Sequence, residues 1–265
     1  MAKTARPVKA AKKATPKPLP LQKIPTVTKD VTAKHFMQKL EQYRSDAELE
    51  KIQRYFKSGE GEYSEGELFI GVRMGQVFEL AKAFSAMSVT ELAKLMDSPV
   101  HEARAGAMSI MDKESRNKKI SAARLKELFD LFMKKIDRVN NWDLVDLGAL
   151  YMTGRYLFDK PRKVLYKLAR SRNIWEHRIA IISTAYFIRQ GDIGDTMAIA
   201  EILVKDKEDL IHKATGWMLR FAYAKDQPAV LAFLDKHAAT MPRTLLRYTI
   251  ENLDKKKKDH YMKLK

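Results

Sequence analysis

The sequence predicts an all-α solenoid with a basic concave groove, and three observations carry that prediction. From Val31 onward, apolar residues recur at steps of three and four, as in VTAKHFMQKLEQY, GQVFELAKAF and AARLKELFDLFMKKI. That is the period of a helix with one buried face. No alternating Val/Ile/Thr run bounded by turn residues marks a strand. Four segments then repeat one theme, polar capping-type residues followed by an apolar helix: SPVHEARAGAMSIM, NNWDLVDLGALYM, SRNIWEHRIAIISTAYF and DKEDLIHKATGWMLRFA. Arg104, Asp143, Arg178 and Lys213 fall at similar points within them, at spacings of 39, 35 and 35 residues. Helix-pair repeats of this length are the mark of HEAT-like or armadillo-like solenoids, which curve and offer a concave face to an extended partner.

The elements follow in order. Residues 1–30 read as a disordered basic tail rich in Lys, Ala and Pro, without apolar periodicity. Residues 31–265 read as one helical-repeat domain. GEGEYSEGE (residues 59–67) reads as a loop between two helices, because its glycines break a helix. The shorter partner helices of the repeat are RLKELFDLFMKKI, RKVLYKLAR, TMAIAEILV and VLAFLDKHA.

Composition narrows the function. The 265 residues carry a formal net charge of +17. The tail to Lys29 holds eight cations and no acid, which leaves +9 on the rest. Tail and body alike therefore attract polyanions, nucleic acid above all. The absence of cysteine excludes a disulfide scaffold and thiolate metal sites. No apolar run approaches a membrane span, and the N-terminus lacks the apolar stretch of a secretory signal. A soluble cytoplasmic monomer is expected. The chain contains neither GxGxxG nor GxxxxGK[ST], so nucleotide phosphate loops are unsupported. It lacks HExxH, its six histidines are scattered, and no metal site or cofactor is expected.

Three places hold chemistry worth weighing. At about 100° per residue, Leu144, Leu147, Gly148 and Tyr151 gather on one side of the NNWDLVD helix, the expected core. Trp142 and Asp146 share the opposite side, where the indole either packs on a neighbouring helix pair or belongs to a site. Arg178 falls among Ile174, Ile182 and Ala185. A cation on an apolar face needs an anion, either a carboxylate such as Asp146 or Glu176, or a phosphate gripped by the guanidinium fork. Trp217 lies at the edge of its helix's apolar stripe with Lys213 and Arg220 as surface neighbours. Such a strip suits a nucleic-acid backbone, and equally suits a core-edge tryptophan with solvated cations. His101 and His177, each near an arginine, read as structural.

In order along the chain, FIGVRMGQVFELAK, HEARAGA, NNWDLVD, NIWEHRIAIIST, EDLIHKATGWMLR and MPRTLLRYTIE resemble the AlkD-type DNA alkylation repair family of HEAT-like-repeat DNA glycosylases, over roughly residues 35–263. The chain departs from many relatives in lacking a Pro shortly after GVR and in having Phe221 where an acidic residue is common. The resemblance implies a monofunctional glycosylase that removes cationic 3-alkyl- and 7-alkylpurines from damaged double-stranded DNA, with no metal and no Schiff-base lysine. It implies Asp146 as the catalytic carboxylate, Trp142 and Trp217 as the indoles against the lesion's deoxyribose, Arg178 beside the adjoining phosphate, and Arg220 in the basic groove. Trp142, Asp146, Arg178 and Trp217 are then expected to converge on the concave face. Two other readings stand beside this one: a non-catalytic DNA- or RNA-binding solenoid, and a protein-interaction scaffold, which has no general need for the body's basic charge.

Overall fold

Helices account for nearly all regular structure in the computed structural model, which describes residues 21–264. The expected tail therefore lies outside the described residues as far as position 20. Residues 21–31 form no helix, yet they lie along the body. The Gln76 amide clasps the backbone of Gln22 at both its N–H (3.0 Å) and its carbonyl (3.1 Å), and the Val27 N–H donates to the Ala83 carbonyl at 2.8 Å. Satisfied backbone groups anchor this stretch of the basic arm.

The chain then runs through α1 (Ala33–Glu41), α2 (Asp46–Phe56), α3 (Met74–Ala83), α4 (Val89–Met96), α5 (His101–Arg116) and α6 (Ala122–Lys134). α7 (Trp142–Gly148) continues into a π-helical segment (Ala149–Gly154) and the single turn α8 (Arg155–Leu157). After α9 (Lys163–Leu168) come α10 (Ile174–Arg189), α11 (Gly194–Leu203), α12 (Asp209–Tyr223), α13 (Gln227–His237), α14 (Arg243–Ile250) and α15 (Lys255–Lys263). The four partner helices expected from the sequence are α6, α9, α11 and α13. Among the described residues, β pairing is limited to one isolated parallel bridge between Leu68 and Val100.

The packing is that of an all-α solenoid. One layer is built by α3, α5, α7 with its π segment, α10, α12 and α14, each against the next. The partner helices cover its other side, with α4 and α6 against α5, α11 between α10 and α12, and α13 on α12. The core is continuous through all of these pairs, from Phe36 and Leu80 to Leu245 and Tyr261.

Several joints are local in cause. Ser45, Ser88, Ser121 and Asn173 cap their helices by accepting a hydrogen bond from an early amide. Glu102, wholly buried, receives the backbone N–H groups of Ile70, Gly71 and Val72 at 3.0–3.2 Å on one carboxylate. Gly71 has φ +83°, and a Cβ there would sit 2.2 Å from the Ser45 carbonyl oxygen, so the turn before α3 requires glycine. Gly154 lets the end of the π segment approach α10, where a Cβ would meet the Ser183 carbonyl oxygen at 2.3 Å.

Candidate active site

The site is assembled where the first turns of α5, α7, α10 and α12 meet the loop between α2 and α3. Asn141 caps α7, accepting from the Trp142 N–H at 2.8 Å, and its amide donates to the Ser64 hydroxyl at 2.7 Å. Asn140 donates to Glu67 at 2.6 Å. The two asparagines of NNWDLVD thus fasten the Gly- and Glu-rich loop to the helix that carries Trp142 and Asp146.

Behind them lies a buried ionic cluster. His101, fully buried, bonds Glu67 at 2.8 Å through Nδ1 and Asp143 at 2.9 Å through Nε2, and Arg104 also pairs with Glu67. Burial pulls the His101 pKa down, but the Asp143 and Glu67 carboxylates more than offset it, and the net is a rise to about 9. His101 is therefore a cation at neutral pH. His177 is held in the same manner by Asp206 and the Ser171 carbonyl, both at 2.7 Å. Both histidines are structural, as expected.

Asp146 and Arg178 meet across α7 and α10. The guanidinium donates to both carboxylate oxygens, Nε at 2.9 Å and Nη2 at 2.8 Å, and its Nη1 donates to the Leu210 carbonyl at 2.8 Å. Arg178 is 6% exposed, while the Asp146 side chain is 25% exposed. Burial pushes the Asp146 carboxyl above its ordinary value, and Arg178 pulls it partly back. Of the partners considered for Arg178, the carboxylate holds it here.

Trp142 stands one turn before Asp146 and is half-buried. One face stacks on Phe56 (5.5 Å between centroids, 21°), and Tyr55 meets it edge-on at 5.9 Å. The rest of the indole lines a cleft of about 340 Å³ with Tyr55, Lys57, Tyr63, Leu210 and Lys213, with Glu208 and Asp209 at its edge. Tyr63 shares that cleft with the indole, and burial raises its phenol's pKa.

On α12, the half-buried positions Leu210, Lys213, Trp217, Arg220 and Phe221 form one stripe. Lys213 joins Trp142 at the cleft. Trp217 is one turn further, set edge-to-face with Phe221 at 5.6 Å. Neither cation on the stripe is free: Lys213 pairs with Asp209 at 2.6 Å and Arg220 pairs with Glu251.

One expectation fails. Leu147 and Tyr151 are only half-buried, while Val145 is wholly buried. Val145 and Leu147 are set by the packing of α7 between α5 and α10, whereas Tyr151 lies in the π segment beginning at Ala149, whose wider i→i+5 turns shift it from its α-helical direction.

The comparisons bear on the family and the fold. The family model for DNA alkylation repair enzymes matches residues 36–253. The chain belongs to that family. Among solved structures, one described as a predicted DNA alkylation repair enzyme from Enterococcus faecalis is similar, with a TM-score of 0.62 at 15% identity over 80% of this chain and 97% of that one. At that identity the likeness speaks for the fold. No curated protein matches the chain significantly.

As a member of the DNA alkylation repair enzyme family, the chain presents residues that sequence reasoning did not single out. Tyr55 and Phe56, at the end of α2, and Tyr63, in the loop that follows, surround Trp142, and Glu67 fixes that loop. The signal was the loop itself, where a tyrosine lies among glycines and glutamates. No helix among the described residues is long and apolar enough to cross a membrane.

Proposed function

We propose that this protein is a monofunctional alkylpurine DNA glycosylase that hydrolyses the N-glycosidic bond of cationic 3-alkyl- and 7-alkylpurines in duplex DNA. It acts as a cytoplasmic monomer with no cofactor. A purine alkylated at N3 or N7 already carries positive charge and leaves as a neutral base when the bond to C1′ breaks. Positive charge then develops on the sugar, water adds at C1′, and the water's proton passes to Asp146 or to solvent. The observation that carries the reading is Asp146: a carboxylate paired with Arg178, still reachable from solvent, one turn from the Trp142 indole. A carboxylate so placed stabilises a developing oxocarbenium ion and orients the water. An electron-rich indole face favours the same cation. Arg178, Trp217 and Arg220 are assigned to the DNA backbone around the lesion, with Lys213 beside Trp142.

A second reading, a non-catalytic DNA- or RNA-binding solenoid, has one specific observation behind it: both Asp146 oxygens are engaged by Arg178, as in a purely structural pair. Single-turnover base release from duplex DNA containing 7-methylguanine separates the two. Release by the native protein and its loss in Asp146→Asn are expected. Tight DNA binding with no release by the native protein would hand the function to the second reading.

A further inference from the structure

Tyr151, in the π segment, stands between two arginines. Its hydroxyl accepts a hydrogen bond from Arg189, whose guanidinium carbon lies 5.3 Å from the ring centroid. Arg116, the last residue of α5, stands 4.6 Å from the same centroid. Both arginines are exposed. Arg189 lies three turns beyond Arg178 on α10 and on the same face of that helix.

Two like charges therefore share one phenol. Asp112 bonds Arg116 at 2.7 Å, and among the described residues Arg189 forms no ion pair with a carboxylate. Arg116, Arg189 and Asp112 together carry a net positive charge. An exposed cation–π contact contributes only about 0.5–1 kcal/mol, which is little reason to gather two guanidiniums. The donor geometry offers a better one. The Tyr151 oxygen accepts from Arg189, so its own O–H is left to donate outward. Two guanidinium forks and a hydroxyl donor suit a tetrahedral anion with several acceptor oxygens. Arg189 is about 16 Å of helix rise beyond Arg178 on α10. A DNA backbone held at Arg178 and continuing along that face of α10 runs toward this cluster.

We infer that Arg116, Tyr151 and Arg189 form a phosphodiester-binding subsite for duplex DNA beside the Asp146 site, an inference that rests on the DNA-binding part of the proposed function. The test is fluorescence anisotropy with the full chain and an undamaged duplex, over a salt series from 50 to 200 mM. Losing one phosphate contact lowers the slope of log affinity against log salt by about 0.9. Arg189→Ala is therefore expected to lose about threefold less affinity than the native protein across that range. Tyr151→Phe keeps the ring and removes the hydroxyl, both the outward donor and the acceptor that holds Arg189, and is expected to weaken binding severalfold at 50 mM. Affinity and slope equal to native in both variants would overturn the subsite. Base release from the 7-methylguanine duplex keeps the two ideas apart. A native protein that releases base while Arg189→Ala binds like native sinks the subsite alone. A native protein that releases nothing but shows the Arg189-dependent slope supports the subsite and sinks only the excision reading.

Discussion

Breaking the Asp146–Arg178 pair one partner at a time has consequences that the geometry fixes. In Asp146→Leu, the Arg178 guanidinium stays 6% exposed with a single remaining acceptor, the Leu210 carbonyl at 2.8 Å. Removing one member of a fully buried pair costs about 3–5 kcal/mol, because the other charge is left uncompensated. The 25% exposure of Asp146 admits water to the gap, so about 2–3 kcal/mol is expected here. In Arg178→Met the stranded group is Asp146, which escapes part of the cost by taking up a proton. Its pKa is already raised, so its contribution to stability is present below the ordinary carboxylate range and is lost as pH rises through the folded value. Without Arg178 that loss grows, and the variant should lose more stability between pH 4 and 7 than the native protein does. The double variant removes both charges and is expected to be more stable than the two single losses sum to, with a coupling of about 2 kcal/mol. Urea unfolding followed by far-UV circular dichroism, without DNA, measures all three. A coupling below about 0.5 kcal/mol would refute the argument, since it would mean that the bidentate pair does not persist in solution.

Three further outcomes are expected. The His101 pKa is raised to about 9, so its contribution to stability is full below its ordinary value of 6.5 and is lost as pH rises through 9; the urea midpoint should fall by the equivalent of about 3 kcal/mol between pH 6 and 10, and this fall should vanish in His101→Gln. Glu102→Ala leaves three buried backbone N–H groups without their acceptor; at about 1–3 kcal/mol each, softened by entering water, a loss of about 3–5 kcal/mol is expected in the same assay, with Glu102→Gln near half of it. Tyr63→Phe removes the hydroxyl beside the Trp142 indole; tryptophan emission should shift and base release at saturating protein should slow severalfold with DNA affinity near native, and unchanged emission and rate would count against Tyr63 as a positioning residue.

Periodicity made the helices legible, because each long helix buries one face and writes that face into the sequence. The repeat was legible through its capping residues, although the caps moved: Asn141 and Asn173 do cap, whereas α5 and α12 begin after Val100 and Glu208 with no side-chain cap. The placing of Tyr151 was not legible. A π turn has no residue signature of its own, and reading 100° per residue through Ala149–Gly154 puts Tyr151 deeper in the core than it lies. The loop's part at the site was half legible. Its glycines announced a loop, but that Glu67 reaches His101, Arg104 and Asn140 depends on contacts between residues 34 to 73 positions apart. Arg178 was read correctly as needing an anion, and only the fold selects Asp146 over Glu176.

That choice bears on whether a carboxylate held by arginine can still act on a sugar. Arg178 occupies two of the roughly four lone-pair directions of the Asp146 carboxylate. The remaining two are where its 25% exposure must lie, since the engaged edges face a guanidinium that is itself buried. The pairing also counters what burial alone does. Burial favours the neutral acid, which has no charge with which to stabilise a cationic sugar, and the fixed positive charge of Arg178 draws the group back towards the ionised form. In the glycosylase reading, then, the pair does not compete with catalysis. It draws a desolvated carboxylate towards its charged form and aims it, with one edge tied to α10 and the other left for substrate. A phosphate arriving at Arg178 would compete for the same donors and free Asp146 further, so DNA binding and the strength of the Asp146–Arg178 bond are expected to be coupled. The coupling measured in the urea cycle should accordingly shrink when the cycle is repeated with duplex DNA bound.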